Sequence, residues 1–201
     1  MPRKPEDIRM SEKNQMTNLD AFCRTWDSAG TSASEATILR SEFGNINLQG
    51  SPLSQASWNI VRSDPRFSEF LEDGIKELVL VLTDDFKWIT YSSCEGHFYP
   101  DEDIPPRRRS VSIAPRSLQE AARIAGVLQF VKDTVRSEHV EFLIRAIPIV
   151  DESRHHLGIE LDLLPKSGWA NYFDNLHAVT TEATDTLRMV RQRLSVDSVK
   201  P

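Results

Sequence analysis

The order of the hydrophobic periodicities constrains this chain more than any other feature. Phe67, Phe70, Leu71, Ile75, Leu78, Val79 and Leu82 recur at helical spacing, behind a Ser63-Asp64-Pro65 start signal. That helix is expected to run to about Thr83. Two strand-like segments follow, one ending in Ser92-Ser93-Cys94 and one over Ser110–Ala114. The same order then returns. Ser117-Leu118-Gln119-Glu120 is a capping box opening a second helix, with a stripe of Leu118, Ala121, Ala122, Ala125, Leu128, Val131 and Val135. Val140–Val150 and Ile159–Leu163 supply two more strands. Pro148 assigns the first of these to a sheet edge or a bulge.

A doubled helix–strand–strand order predicts an α+β fold: a four-stranded antiparallel sheet with helices packed on it, in a permuted ferredoxin-like arrangement. In the form expected here the second strands of both halves are central and run parallel. Both hairpin turns then share one end of the sheet, bringing Cys94, Glu95 and His97 towards Asp151, Glu152, Arg154, His155 and His156. A third stripe, Trp169, Phe173, Leu176, Thr180, Ala183, Leu187, Val190 and Leu194 behind Ser167, forms an extra C-terminal helix. It either covers the sheet or pairs with another chain.

Residues 1–60 read as an irregular, partly flexible N-terminal arm, and 61–201 as a single α+β domain. The first 18 residues are polar and aperiodic. Leu19, Phe22, Cys23 and Trp26 suit one face of a short helix, and Ser28–Ser57 is rich in small polar residues. A formal net charge of -6 opposes broad electrostatic capture of nucleic acid. No apolar run is long enough to span a membrane, and the N-terminus lacks the apolar core of a signal peptide. The two cysteines stand in unrelated contexts, which points to a reducing, cytoplasmic setting without a disulfide framework.

The turn Ser92-Ser93-Cys94-Glu95-Gly96-His97 concentrates the reactive chemistry. Four readings compete there. Cys94 and His97 have Cys-x-x-His spacing, and with His155 or His156 they can form a zinc site. Cys94 can be a nucleophile, with His97 lowering its pKa, Glu95 moving protons and backbone N–H groups around Gly96 meeting an oxyanion. Ser92, Ser93, Glu95 and His97 can line a polar ligand pocket. In the plainest reading Cys94 is a small buried apolar residue and Gly96 supplies a positive φ. Arg107, Arg108 and Arg109 form the one dense positive cluster, suited to phosphate or RNA unless the adjoining Asp101–Asp103 neutralises it. Glu160 and Asp162 share one strand face, either as a cation or acid–base site or as a solvated face with Arg145 as cross-strand partner.

The Ser-Ser-Cys-Glu-Gly-His sequence is similar to a Ser-Cys-Glu-Gly-His turn in uncharacterised bacterial proteins of modest size. More distantly, residues 66–97 resemble the wybutosine-synthesising protein 3 family of tRNA-modifying methyltransferases. That family carries a Ser-Ser-Cys-x-Gly-Arg motif after a helix and a strand, with arginine where this chain has His97. The resemblance implies RNA or nucleotide chemistry at the turn. Two functions follow as expectations. One is an accessory or binding subunit of a cytoplasmic assembly, joined to a protein partner through the N-terminal arm or C-terminal helix. The other is an enzyme or zinc-dependent binder acting on a nucleotide or RNA through Cys94, Glu95 and His97.

Overall fold

A computed structural model describes residues 18–26, 28, 32–54, 60–101, 103–151 and 154–197. The flexible arm expected before residue 18 lies outside them. The elements in chain order are α1 (Leu19–Thr25), β1 (Leu39–Arg40), β2 (Ile46–Asn47), α2 (Asp73–Leu80), β3 (Ile89–Cys94), β4 (Arg109–Ala114), α3 (Leu118–Thr134), β5 (Val140–Asp151), β6 (Arg154–Pro165) and α4 (Trp169–Asp197). The fold is α+β, with a four-stranded antiparallel sheet in the order β3-β4-β6-β5 and a two-stranded β1-β2 pair. Pro148 lies on the edge strand β5, where its missing N–H is tolerated.

The second strands of the two halves, β4 and β6, are central as expected, but they run antiparallel: Arg109 pairs with Leu163 and Ile113 with Ile159. The cause is α3. Its 17 residues, about 25 Å of helix, return the chain to the end where β4 began. β5 therefore starts there and runs parallel to β4, and β6 must oppose both. The β3–β4 and β5–β6 turns consequently lie at opposite ends of the sheet, which corrects the shared-edge expectation.

The first long helix also starts later than its stripe suggests. Asp64 caps no helix: only a 3-10 turn over Phe67–Phe70 follows, with Arg66 as its N-cap, and the Asp64 carboxylate accepts from the N–H groups of Arg66 (2.8 Å) and Ser34 (2.9 Å). The chain then extends at Leu71 and Glu72 before α2 begins, and a π turn over Val81–Asp85 ends it. α3 forms as its capping box predicts, with Ser117 Oγ accepting from Glu120 N at 3.1 Å. Its buried face is Ala121, Ile124, Leu128 and Val131, whereas Leu118 is 79% exposed in the first turn. α4 packs on α2, α3 and the sheet, with Tyr172, Leu176, Ala183 and Leu187 in the core.

Described residues before 60 pack onto this core. Leu19, Phe22 and Trp26 are buried, and the Trp26 ring meets Phe67 edge-on at 5.6 Å. The carboxylate of Asp151, at the β5–β6 turn, accepts from the N–H of Leu19, the first residue of α1, at 2.7 Å and from that of its N-cap Asn18 at 2.8 Å, while the Asn18 side chain itself accepts from Ala21 N. These donors have no partner inside a helix, so Asp151 caps α1 from 132 residues away. The β1–β2 turn lies over the other end of the sheet, where Asn45 Nδ2 donates to the Tyr99 hydroxyl at 3.0 Å.

Candidate metal centre

Three segments meet at the β3–β4 end. Cys94 closes β3, and Gly96 turns the chain with φ +84°, where an added Cβ would lie 3.0 Å from Arg109 N. His97 then exchanges backbone hydrogen bonds with Arg107 at 3.0 and 2.8 Å. Glu72 enters from the start of α2. A ligand atom from each of Glu72, Cys94 and His97 lies within 4.8 Å of the other two, so the trio can hold a metal ion. All three residues are buried, at 7%, 6% and 3% exposure.

Both nitrogens of His97 face oxygen acceptors. Nδ1 is 3.0 Å from the Phe43 carbonyl, and Nε2 is 3.1 Å from Glu72 Oε1. Only the doubly protonated ring satisfies both. Burial alone would depress the imidazole's pKa, but the hydrogen bonds to Cys94 and Glu72 and the charge of Glu72 outweigh it and push it up to about 10. In that form Nε2–H donates to Glu72 Oε1. Glu72 accepts further from Ile46 N (3.1 Å) and Glu95 N (2.7 Å), which fixes its carboxylate and explains the extended break before α2.

Glu95 forms a second layer. Its Oε2 accepts from Gly74 N at 2.6 Å, in the first turn of α2. Burial pushes its carboxyl up, against that hydrogen bond, and the Glu72 charge adds to the rise. Arg109 is 5% exposed and spans from the Glu95 carbonyl (Nε, 2.6 Å) to Thr180 Oγ1 on α4 (Nη1, 2.5 Å). Gly74 is required by these contacts: a Cβ there would lie 2.6 Å from Arg109 Nη2 and 2.9 Å from Glu95 Oε2.

The expected site residues thus divide. Cys94, Glu95 and His97 come together, and Glu72 joins them without any signal in the sequence spacing. His155 and His156 do not. His155 stands seven positions along β6 from Asp162, which with Ser110 shares the Cys94 register row, so about 23 Å of strand separates it from that row. Ser92 and Ser93 line a separate cleft of about 90 Å³ with Ile46, Phe67 and Tyr91. The arginine run is split: Arg109 is turned inward, Arg107 pairs its backbone with His97, and Arg108 donates to Asp162 at 2.6 Å. Glu160 and Asp162 are not solvated. They are 6% and 0% exposed, and Arg145 pairs with both at 2.6 Å.

No helix among the described residues is long and apolar enough to cross a membrane. Comparison with protein-family models, with curated proteins and with solved structures finds no match.

Proposed function

We propose that this chain is an accessory metal-binding protein that holds one zinc ion on Glu72, Cys94 and His97. The observation that carries this reading is the mutual approach of three buried donors of different type within 4.8 Å. A mixed oxygen, sulfur and nitrogen set suits zinc and not magnesium or calcium, which take oxygen. The Phe43 carbonyl supports it further: a ligating histidine characteristically donates its other N–H to such an acceptor, which fixes the ring. In a tetrahedral zinc site, nitrogen and oxygen ligands stand about 3.3 Å apart. The 3.1 Å between His97 Nε2 and Glu72 Oε1 needs only a small opening.

The ion would take the place of the Nε2 proton of His97 and tie the β1–β2 turn, α2 and the β3–β4 hairpin together. Three protein donors would leave the fourth tetrahedral position to a water or to a group from a bound partner. Burial of Cys94 gives the thiol-enzyme reading less support. A polybasic nucleic-acid surface also draws less support, because Arg109 is buried and Arg108 is ion-paired. Two free thiols, Cys23 and Cys94, fit a reducing cytoplasmic compartment.

Elemental analysis tests the reading. Protein refolded with zinc and dialysed should carry about one zinc per chain, and C94A, H97A and E72Q should each carry markedly less. Wild-type protein without stoichiometric metal would overturn it.

A further inference from the structure

The opposite face of the sheet from the α3 and α4 core carries a second group of charged side chains. In register across all four strands stand Ser92, Ser112, Glu160 and Arg145; the next row is Cys94, Ser110, Asp162 and Leu143. Arg108 reaches the second row from just before β4.

The burial in this group is layered. The side chains of Asp162 and Glu160 are 0% and 9% exposed, and those of Arg108 and Arg145 lie above them at 41% each. Arg108 Nε bonds Oδ1 of Asp162 and Arg145 Nη2 bonds Oδ2, each at 2.6 Å. Arg145 Nη2 also reaches Glu160 Oε2 at 2.6 Å. Two guanidinium groups are therefore held apart by the span of one carboxylate. Each retains unused donors: both terminal nitrogens of Arg108 and Nη1 of Arg145 have no partner among the described residues. Arg145 Nε is buried without a hydrogen-bond partner, as is the Tyr91 hydroxyl. Tyr91 is the bulge residue between Thr90 and Ser92, and burial foremost, with the charge of Glu160, raises its pKa against the influence of Ser112.

We infer that Arg108 and Arg145 form a binding site for a small phosphoryl oxyanion, anchored from beneath by Asp162 and Glu160. The chemistry follows from the spacing. Adjacent oxygens of a phosphoryl group stand about as far apart as those of a carboxylate, so the pair gauged on Asp162 can grip a phosphoryl group with its outward donors. Arginine's rigid fork suits that recognition, and the carboxylates beneath hold both forks in place before the ligand arrives. Because those carboxylates neutralise the arginines, recognition rests on directed hydrogen bonds more than on net charge. A divalent cation is disfavoured there, since both carboxylates already face guanidinium groups. The site adjoins the Glu72–Cys94–His97 centre, since Cys94 shares the Asp162 register row, but it uses none of the three metal donors.

Titration of the full chain with inorganic phosphate, followed by calorimetry and by arginine Nε NMR signals at constant ionic strength, tests this. Saturable binding with a Kd of about 1 mM or tighter is expected. R108K and R145K keep the charges but lose the forks, and each should weaken binding at least roughly tenfold. Zinc content should be unchanged in R108K, which keeps the positive charge beside Cys94 and removes no metal donor, so loss of phosphate binding there is not loss of the metal centre. Should R145K fail to fold, R108K decides alone, since Arg108 meets only Asp162 whereas Arg145 holds both carboxylates. Binding that does not saturate by about 20 mM, or equal binding by wild type and R108K, would overturn the inference.

Discussion

His97 Nδ1 lies 3.0 Å from the carbonyl oxygen of Phe43, 54 residues earlier in the chain. One hydrogen bond thereby joins the β1–β2 turn to the β3–β4 hairpin and fixes which ring nitrogen faces Glu72 and Cys94. The same contact makes the N-terminal segment part of the candidate metal centre. Zinc binding should therefore order residues 41–47. In hydrogen exchange, amides there should be protected more strongly with zinc than after chelation. The protection should vanish in C94A, which leaves the Phe43 contact in place but removes a ligand.

Gly74 gives a substitution whose sign opposes propensity. Alanine in a helix ordinarily gains about 0.5–1 kcal/mol over glycine. Here its Cβ would collide with Arg109 Nη2 at 2.6 Å and Glu95 Oε2 at 2.9 Å. G74A should lose about 1–3 kcal/mol in urea unfolding. A stabilised G74A would mean that Glu95 and Arg109 do not meet over α2.

Asp151 should be worth more than a surface carboxylate. It accepts from the N–H groups of Asn18 and Leu19 and is 8% exposed. D151A should cost about 1–2 kcal/mol and admit protease between α1 and β1. D151N keeps one acceptor oxygen and should cost less. Equal stability of all three proteins would contradict a long-range cap.

Tyr172 sets an alkaline limit. Burial raises its phenol to about 12, although the N–H and charge of Arg109 oppose the rise. Between pH 10 and 12 the unfolded chain has lost this proton and the folded chain retains it. The contribution is whole below pH 10 and disappears through pH 12, at up to about 1.4 kcal/mol per pH unit. Y172F should be less stable at pH 8, having lost the bond to the Leu163 carbonyl, but should show a shallower decline above pH 10.

Thiol accessibility gives a last check. Cys94 is 6% exposed, and burial pushes the Cys23 thiol up. Iodoacetamide at pH 7 should modify both more slowly in the folded protein than in urea, with zinc protecting Cys94 further. Fast modification of native Cys94 would restore the nucleophile reading.

Much of the architecture is legible in the sequence because it depends on local periodicity. The stripe of α3 with its Ser117 cap, the edge position forced by Pro148 and the alternation of Ile159, Leu161 and Leu163 each follow from neighbours along the chain. The Cys-x-x-His turn is local in the same sense: Gly96 bends the chain and brings Cys94 and His97 together. The tertiary structure decided what distance along the chain does not encode. Glu72 stands 25 residues before its histidine partner, and no spacing rule connects a helix-leading carboxylate to a hairpin. The return path along α3 set β6 antiparallel to β4 and so placed His155 and His156 at the far end. Burial likewise turned the alternating Glu160 and Asp162 from an apparently wet face into the anchors of Arg108 and Arg145, because a charge withdrawn from water must find a partner and only the folded sheet brings those partners into reach.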